Sequence, residues 1–341
     1  MSATINPTSA LKIVMGAMTF GIEGAEGARV HELKDVETIL DIFQSHGHNE
    51  IDTARIYAFG TSEEYLGKLN WQNRGLIMDT KHYPHSTMGR AVKEGELCDH
   101  SPEGLRQNLM ISLKALNTDK VDMWYLHGPD RTIPYEVTLK AVNDLFTEGY
   151  FKAFGISNYM SWEVAQMVEI CKANGYIQPT VYQGVYNAIQ RTTEPELFPC
   201  LRKYGISFYA FSPLAGGFFT GRYLSQDDQA EAGGRFDPDR VQGKHHRNRY
   251  WNDTYFSAVN SVREVAKAHD LTVPEVALRW ISHHSRLSRE TGDAVIIGAS
   301  SVNHTERNLL DLEKGPLPDE VVKILDDAWL SVKAISTNYF H

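Results

Sequence analysis

Residues 101–156 read SPEGLRQNLMISLKALNTDKVDMWYLHGPDRTIPYEVTLKAVNDLFTEGYFKAFGI. Leu105, Leu109, Leu113 and Leu116 recur at three- and four-residue steps, which lines them along one face of a helix. Ser101 is placed to cap that helix, and Pro102 suits its first position, where a missing N–H costs nothing. A β-type run follows at 121–126, then a second helical pattern at 136–147, then a second β-type run at 153–156. The order is helix, strand, helix, strand.

Working outward, further strands are predicted at 12–15, 50–53, 76–80, 180–183, 207–211 and 295–297, and helices at 36–45, 162–173 and 195–204. Eight strands mostly separated by helices imply parallel pairing, because a crossover of helical length returns the next strand in the same direction. Closing eight such units gives an α/β fold of the (β/α)8 TIM barrel type, whose usual size is about 250 residues. The excess falls at 215–251, rich in Gly, Asp, Gln and Arg, which reads as a long βα loop after strand 7. A doubly wound sheet would want a glycine-rich turn after its first strand. The segment Gly16-Ala17-Met18-Thr19-Phe20-Gly21 lacks GxGxxG. No repeat or linker divides the chain, so residues 1–341 are read as a single domain.

With 42% hydrophobic and 23% charged residues the chain is composed like a globular protein with a sizeable core. A formal charge of -9 works against nucleic acid and anionic membranes as partners, so an anionic ligand must be met by local positive charge. Cys98, Cys171 and Cys200 show no metal or redox spacing and read as reduced thiols. Residues 1–10 are polar without a secretory pattern, no apolar run reaches membrane-span length, and 339–341 match no retention or peroxisomal signal. The expected location is cytoplasmic.

In such a barrel, polar side chains at the C-terminal strand ends face the active-site mouth. Those positions hold Asp52 with Tyr57 just beyond, Lys81, His127, Ser157 with Asn158, and Gln183. Singly, each has an ordinary structural explanation as a cap, a solvated charge or a hydrogen-bonded strand end. Together they form a chemical unit. A tyrosine with a pKa of about 10 is a poor acid near neutrality, an adjacent ammonium favours its phenolate, and a carboxylate holds the ammonium. A histidine can orient a carbonyl oxygen. The set suits proton delivery to oxygen while hydride arrives at carbon, with no activated serine or cysteine and no metal. The pairs His245-His246 and His283-His284 lack ligand spacing and read as loop and helix surface.

Ile51-Asp52-Thr53-Ala54-Arg55-Ile56-Tyr57, Lys81 and Tyr125-Leu126-His127 resemble the catalytic segments of the aldo-keto reductases. The likeness continues through Gly155-Ile156-Ser157-Asn158, Gln183, the run from Tyr209 to Gly217, and Ile297-Gly298-Ala299-Ser300-Ser301 followed by Asn308. Ser212-Pro213-Leu214-Ala215-Gly216-Gly217, Thr220-Gly221-Arg222, Gly234-Arg235-Phe236, Arg247-Asn248-Arg249 and Asn338-Tyr339-Phe340 are most similar to the aflatoxin-aldehyde and succinic-semialdehyde reductase branch. The resemblance implies that Tyr57 is the general acid, that Lys81 depresses its pKa, that Asp52 anchors Lys81, and that His127 orients the substrate carbonyl. It further implies NADPH as cofactor, a small-molecule aldehyde (aromatic, dicarbonyl or dialdehyde) as substrate, and a homodimer.

By the same resemblance Ser157, Asn158 and Gln183 hold the nicotinamide carboxamide and Phe211 stacks on its ring, where the family usually has tyrosine. Ser212, Pro213, Leu214 and Gly216 wrap the pyrophosphate, together with Arg222. Ser300, Ser301, His304, Arg307 and Asn308 lie at the adenosine end, and Arg222, Arg235 and Arg307 favour a 2′-phosphate. Arg222 and Arg235 read alternatively as solvated loop residues, and Ser300 and Ser301 as helix caps.

Two departures touch substrate binding. The branch typically has tyrosine and a terminal arginine where this chain has His246 and His341, while Arg249 is retained. An ordinary histidine is mostly uncharged at neutral pH, so carboxylated aldehydes are expected to be poorer substrates than neutral ones. The competing function is a cofactor-binding regulatory module resembling channel β-subunits.

Overall fold

A computed structural model describes residues 8–84 and 97–341; of the polar stretch 1–10, residues 1–7 lie outside the described residues. Eight strands, β1 (Lys12–Gly16), β2 (Glu50–Asp52), β3 (Ile77–His82), β4 (Val121–Leu126), β5 (Phe151–Ser157), β6 (Pro179–Val185), β7 (Ser207–Phe211) and β8 (Ala294–Ile297), pair in chain order. Every pairing is parallel, and β8 returns to β1 with Lys12 opposite Ala294 and Met15 opposite Ile297. The sheet is a closed barrel.

Helices α1 (Leu33–Ser45), α2 (Thr61–Lys68), α3 (Pro102–Ala115), α4 (Tyr135–Thr147), α5 (Ser161–Asn174) and α6 (Leu197–Tyr204) follow the first six strands. In α3 the Ser101 hydroxyl accepts from the Gly104 N–H at 3.0 Å, and Leu105, Leu109 and Leu113 are buried. Burying each such leucine stabilises the fold by about 1.5–3 kcal/mol. The main core fills the ring between strands and helices, while Val14, Tyr125, Val181, Tyr209, Ala294 and Ile296 form a separate cluster inside the barrel.

The stretch after β7 is more structured than its composition implies. It begins with a tight turn, Ala215–Thr220, and contains α7 (Val241–Tyr250), whose sequence VQGKHHRNRY has no apolar periodicity. Aromatic packing supplies what periodicity does not. The Phe218 ring lies 4.9 Å from Phe256, 5.8 Å from Phe236 and 5.9 Å from Tyr250, and Trp251 packs 5.5 Å from Phe236. Then come α8 (Asp253–Ala268) and α9 (Val273–His283) before β8, and α10 (Val302–Leu312) and α11 (Asp319–Val332) after it. No helix among the described residues is long and apolar enough to cross a membrane.

Candidate active site

Asp52 is the last residue of β2, Lys81 the penultimate residue of β3, and His127 directly follows β4. Parallel register sets Asp52 opposite Asp79 on β3, and Lys81 opposite Tyr125 on β4. Adjacent strand ends therefore bring these side chains to one mouth. Lys81 is wholly buried, and its ammonium donates to both Asp52 oxygens, at 2.6 and 2.7 Å, and to the Thr53 carbonyl at 2.7 Å. All three of its protons are thereby engaged. Burial alone would pull Lys81 down, but Asp52 and neighbouring acidic groups outweigh it and its pKa is raised.

Tyr57 opens the turn Tyr57–Gly60 that leaves β2. Ala58, Phe59 and Gly60 are left-handed, with φ of 48°, 58° and 92°. That conformation costs a non-glycine residue about 1–2 kcal/mol, and the packing around it must offset the cost. The buried Glu63 helps, bonding Arg55 at 3.0 Å and Thr80 at 2.6 Å. The turn sets the Tyr57 ring 4.9 Å from the Lys81 ammonium and 5.6 Å, edge-on, from the His127 ring.

The direction of the tyrosine's pKa departs from the sequence expectation. Burial raises it, Lys81 opposes the rise, and Asp52 adds to it, so the net shift is upward. Lys81 restrains the rise without reversing it, and Tyr57 keeps its proton at neutral pH. His127 is shifted the other way: burial lowers its pKa well below the ordinary value, with Lys81, His341 and His82 adding to the effect. It is a neutral imidazole with one N–H to offer.

Gln183, on β6, donates its amide nitrogen to Asp52 at 2.8 Å, which leaves its carbonyl oxygen to accept from another group. Asn158 adopts φ 66° just after β5 and donates to the His127 carbonyl at 2.9 Å and the Ser157 hydroxyl at 3.0 Å. Phe211 ends β7. Ser212, Ala215, Gly216 and Gly217 that follow have φ of 57°, 51°, 68° and 101°. Successive left-handed residues turn backbone N–H groups into a concave, anion-accepting surface. Pro213 and Leu214 complete that turn, with the Leu214 carbonyl accepting from Gly217 and Phe219. After the neighbouring strand β8, Ser301 caps α10 by accepting from the His304 N–H at 3.3 Å, and the Ser300 hydroxyl lies 3.0 Å from His304 Nδ1. Asn308 is buried on α10, whereas Arg307 is exposed.

The arginines fall into two groups. Arg222 is paired with Glu231 at 2.5 Å, and Glu231 also binds Arg29 at 2.9 Å, so Arg222 is not a spare charge. Arg235 and Arg307 have no carboxylate partner among the described residues. Arg235 is close enough to Tyr57 for the charges to interact, and burial lowers its pKa. A left-handed turn of backbone N–H groups, an α10 N-terminus and two arginines without acid partners fit a phosphorylated dinucleotide laid across the mouth.

The predicted substrate residues separate. The His341 ring is tilted 5.8 Å from that of Tyr83, which lies 5.4 Å from His127, and the His341 backbone N–H reaches the Asn158 carbonyl at 3.4 Å. Burial, with His245, Arg249 and Arg131 nearby, pulls His341 down to about 4. Arg249 interacts with both His341 and His246. His246 is held differently from His341: its Nδ1 bonds the Gln242 carbonyl at 2.9 Å, and its ring would collide with a Cβ on Gly216, at 2.3 Å. It abuts the turn after β7, and burial holds it neutral at about 3. Of the other histidine pair, His283 bonds the Lys314 carbonyl at 2.7 Å and His284 accepts from the Leu317 N–H at 2.9 Å.

Sequence reading missed Tyr83, Arg131 and the Thr53 carbonyl. Arg131 bonds the His341 carbonyl at 3.1 Å and Glu163 at 2.7 Å, fixing the last residues beside the mouth. No periodic signal marks these residues, because their role comes from contacts between distant loops.

A parallel eightfold barrel with an acid–base cluster at its C-terminal strand ends defines a barrel enzyme. Residues 12–330 match the aldo/keto reductase family model, and the chain belongs to that family, whose members are oxidoreductases that use nicotinamide cofactors. It is 45% identical to the aldo-keto reductase pigE of Monascus ruber over 99% of both chains. It is 42% identical to human aldo-keto reductase family 7 member A3 over 96% of both. It is 43% identical to human aflatoxin B1 aldehyde reductase member 2, over 87% of this chain and 82% of that one.

Proposed function

We propose that this protein reduces aldehydes, of the aromatic, dicarbonyl or dialdehyde kind, to alcohols with NADPH. The carrying observation is the position of the Tyr57 ring between the buried Lys81–Asp52 pair and a neutral His127. NADPH, when bound, supplies the hydride. Ser157, Asn158 and the Gln183 carbonyl would orient its carboxamide beside Phe211, and the turn from Ser212 to Gly216 would meet its pyrophosphate. Arg307, on α10 at the adenosine end, supports the phosphorylated form over NADH.

His127 donates its single N–H to the aldehyde oxygen and fixes that oxygen against Tyr57. Tyr57 gives its proton to the oxygen as negative charge develops there, and Lys81 stabilises the phenolate left behind. The proton is then regained from solvent. The relatives named for an aflatoxin aldehyde support an aldehyde as substrate. The reading extends to a cytosolic homodimer with aldehyde as its small-molecule partner.

The test follows NADPH absorbance with 4-nitrobenzaldehyde in native protein and Tyr57→Phe. Loss of turnover by about 10²–10⁴-fold with NADPH binding retained supports the reading. Native protein that binds NADPH and consumes it with no aldehyde of a broad panel moves the assignment to a regulatory module.

A further inference from the structure

Five ionisable groups, apart from tyrosines, gather in and around the inside of the barrel: Lys12, Glu50, Asp52, Asp79 and Lys81. Two pairs account for four of them, Lys12 with Glu50 and Lys81 with Asp52. Asp79 is the fifth. It sits on β3 two residues before Lys81, opposite Asp52 in the register, and is 1% exposed. Among the described residues neither of its oxygens has a hydrogen-bond partner, and the Tyr125 hydroxyl on the next strand has none.

An ionised carboxylate in that place would carry an unsolvated charge with no donor, beside two other carboxylates. Protonation removes the charge and brings the interior to balance, two lysines against two carboxylates. The groups acting on Asp79 are Glu50 and Asp52 on β2, Lys81 on β3 itself, Lys12 on β1 and Tyr125 on β4; Tyr209 on β7 interacts with it as well. Burial, then Glu50, then Asp52 all favour its neutral form.

We propose that Asp79 is a positioning residue that stays a neutral carboxylic acid beneath the Lys81–Asp52 pair, leaving Lys81 committed to Asp52 and Tyr57 able to release its proton. Ionisation of Asp79 adds a negative charge near Lys81. The phenolate of Tyr57 becomes harder to form, and Tyr57 becomes a weaker donor. The same sign governs the reverse reaction, since alcohol oxidation with NADP+ needs Tyr57 deprotonated to accept the hydroxyl proton. Asp79 therefore sets how far alkaline pH opens the oxidative direction. This role rests on Tyr57 being the proton donor, but the protonation state of Asp79 does not.

Two measurements separate these claims. Infrared difference spectra of native protein against Asp79→Asn, at neutral pH, report the protonated carboxyl directly as a carbonyl band that the variant lacks. In Glu50→Gln that band disappears at lower pH than in native protein, because the largest opposing charge is gone. Absence of the band from native protein overturns the proposal. The pH profile of alcohol oxidation gives the second readout. Asp79→Asn, neutral at every pH, moves the rise in oxidation down by about one pH unit, while aldehyde reduction near pH 7 stays within about twofold of native. A band with an unmoved profile overturns the positioning role. If Tyr57→Phe keeps full turnover, the general-acid reading falls, whereas the band and its Glu50 dependence are read unchanged.

Discussion

A lysine with no solvent contact, as Lys81 is, keeps its charge only while Asp52 lies against it. Asp52→Asn leaves that ammonium uncompensated, so stability should fall by about 3–5 kcal/mol and turnover by at least about 10²-fold. Denaturant unfolding and NADPH oxidation check both. At His341 the sign of the pKa shift makes a second prediction. An ordinary histidine gains charge as pH falls through about 6.5 and would then attract a carboxylate. His341 is pulled down to about 4, so it stays neutral through that range. The ratio of kcat/KM for succinic semialdehyde to that for 4-nitrobenzaldehyde should stay flat between about pH 6 and 8. His341→Arg should raise it about tenfold, the worth of one charge-assisted hydrogen bond. Equal native efficiency on both aldehydes at pH 7.5 would sink the preference for neutral substrates. Much of this was legible in the sequence, because strand ends can be read from alternation and barrel geometry aims them at one mouth. Asp79 was legible too, since residues i and i−2 of a strand share a face, which sets it one layer beneath Lys81. The placement of His246 against Gly216 was not, because it depends on how α7 docks.

Among the elements, predicted and observed strand limits differ by at most two residues at either end. Alternation and flanking glycines locate strands well when both faces are covered. α7 is the failure. Its buried residues are Gln242, Gly243 and Tyr250, a set no apolar template selects. Gly243 is what lets α7 sit where it does: a Cβ there would fall 1.7 Å from the Asp237 carbonyl oxygen and 2.5 Å from its carbon. Backbone on both sides cannot yield as a flexible side chain can. Gly243→Ala should push α7 outward, weaken NADPH binding at least about tenfold, and leave the Tyr57 site intact. Cofactor titration by fluorescence reads the first effect. Reduction at saturating NADPH reads the second.

For the molecule as a whole, buried neutral histidines set the acid limit. His48 is buried against Phe43, and burial lowers it to about 4; His246 is near 3. Between about pH 6.5 and 4 the unfolded chain binds protons that the folded chain refuses, so stability falls as pH falls. His48 alone accounts for up to about 3 kcal/mol of that loss. The Tm should drop steeply across this window, and His48→Gln should flatten the drop; an equally steep curve in the variant would remove His48 from the account. The seam between β1 and β8 has a different consequence. β1 finds its second neighbour only in β8, at Ala294–Ile297, so the cylinder stays open until nearly the whole polypeptide has been synthesised. Asp52, Tyr57, Lys81 and His127 emerge from the ribosome long before Ser301 and Asn308. During that interval β1 presents an unpaired edge, and pairings this distant in sequence form slowly. The nascent chain is at its most vulnerable then, and a chaperone that shields β1 would act before any cofactor could bind.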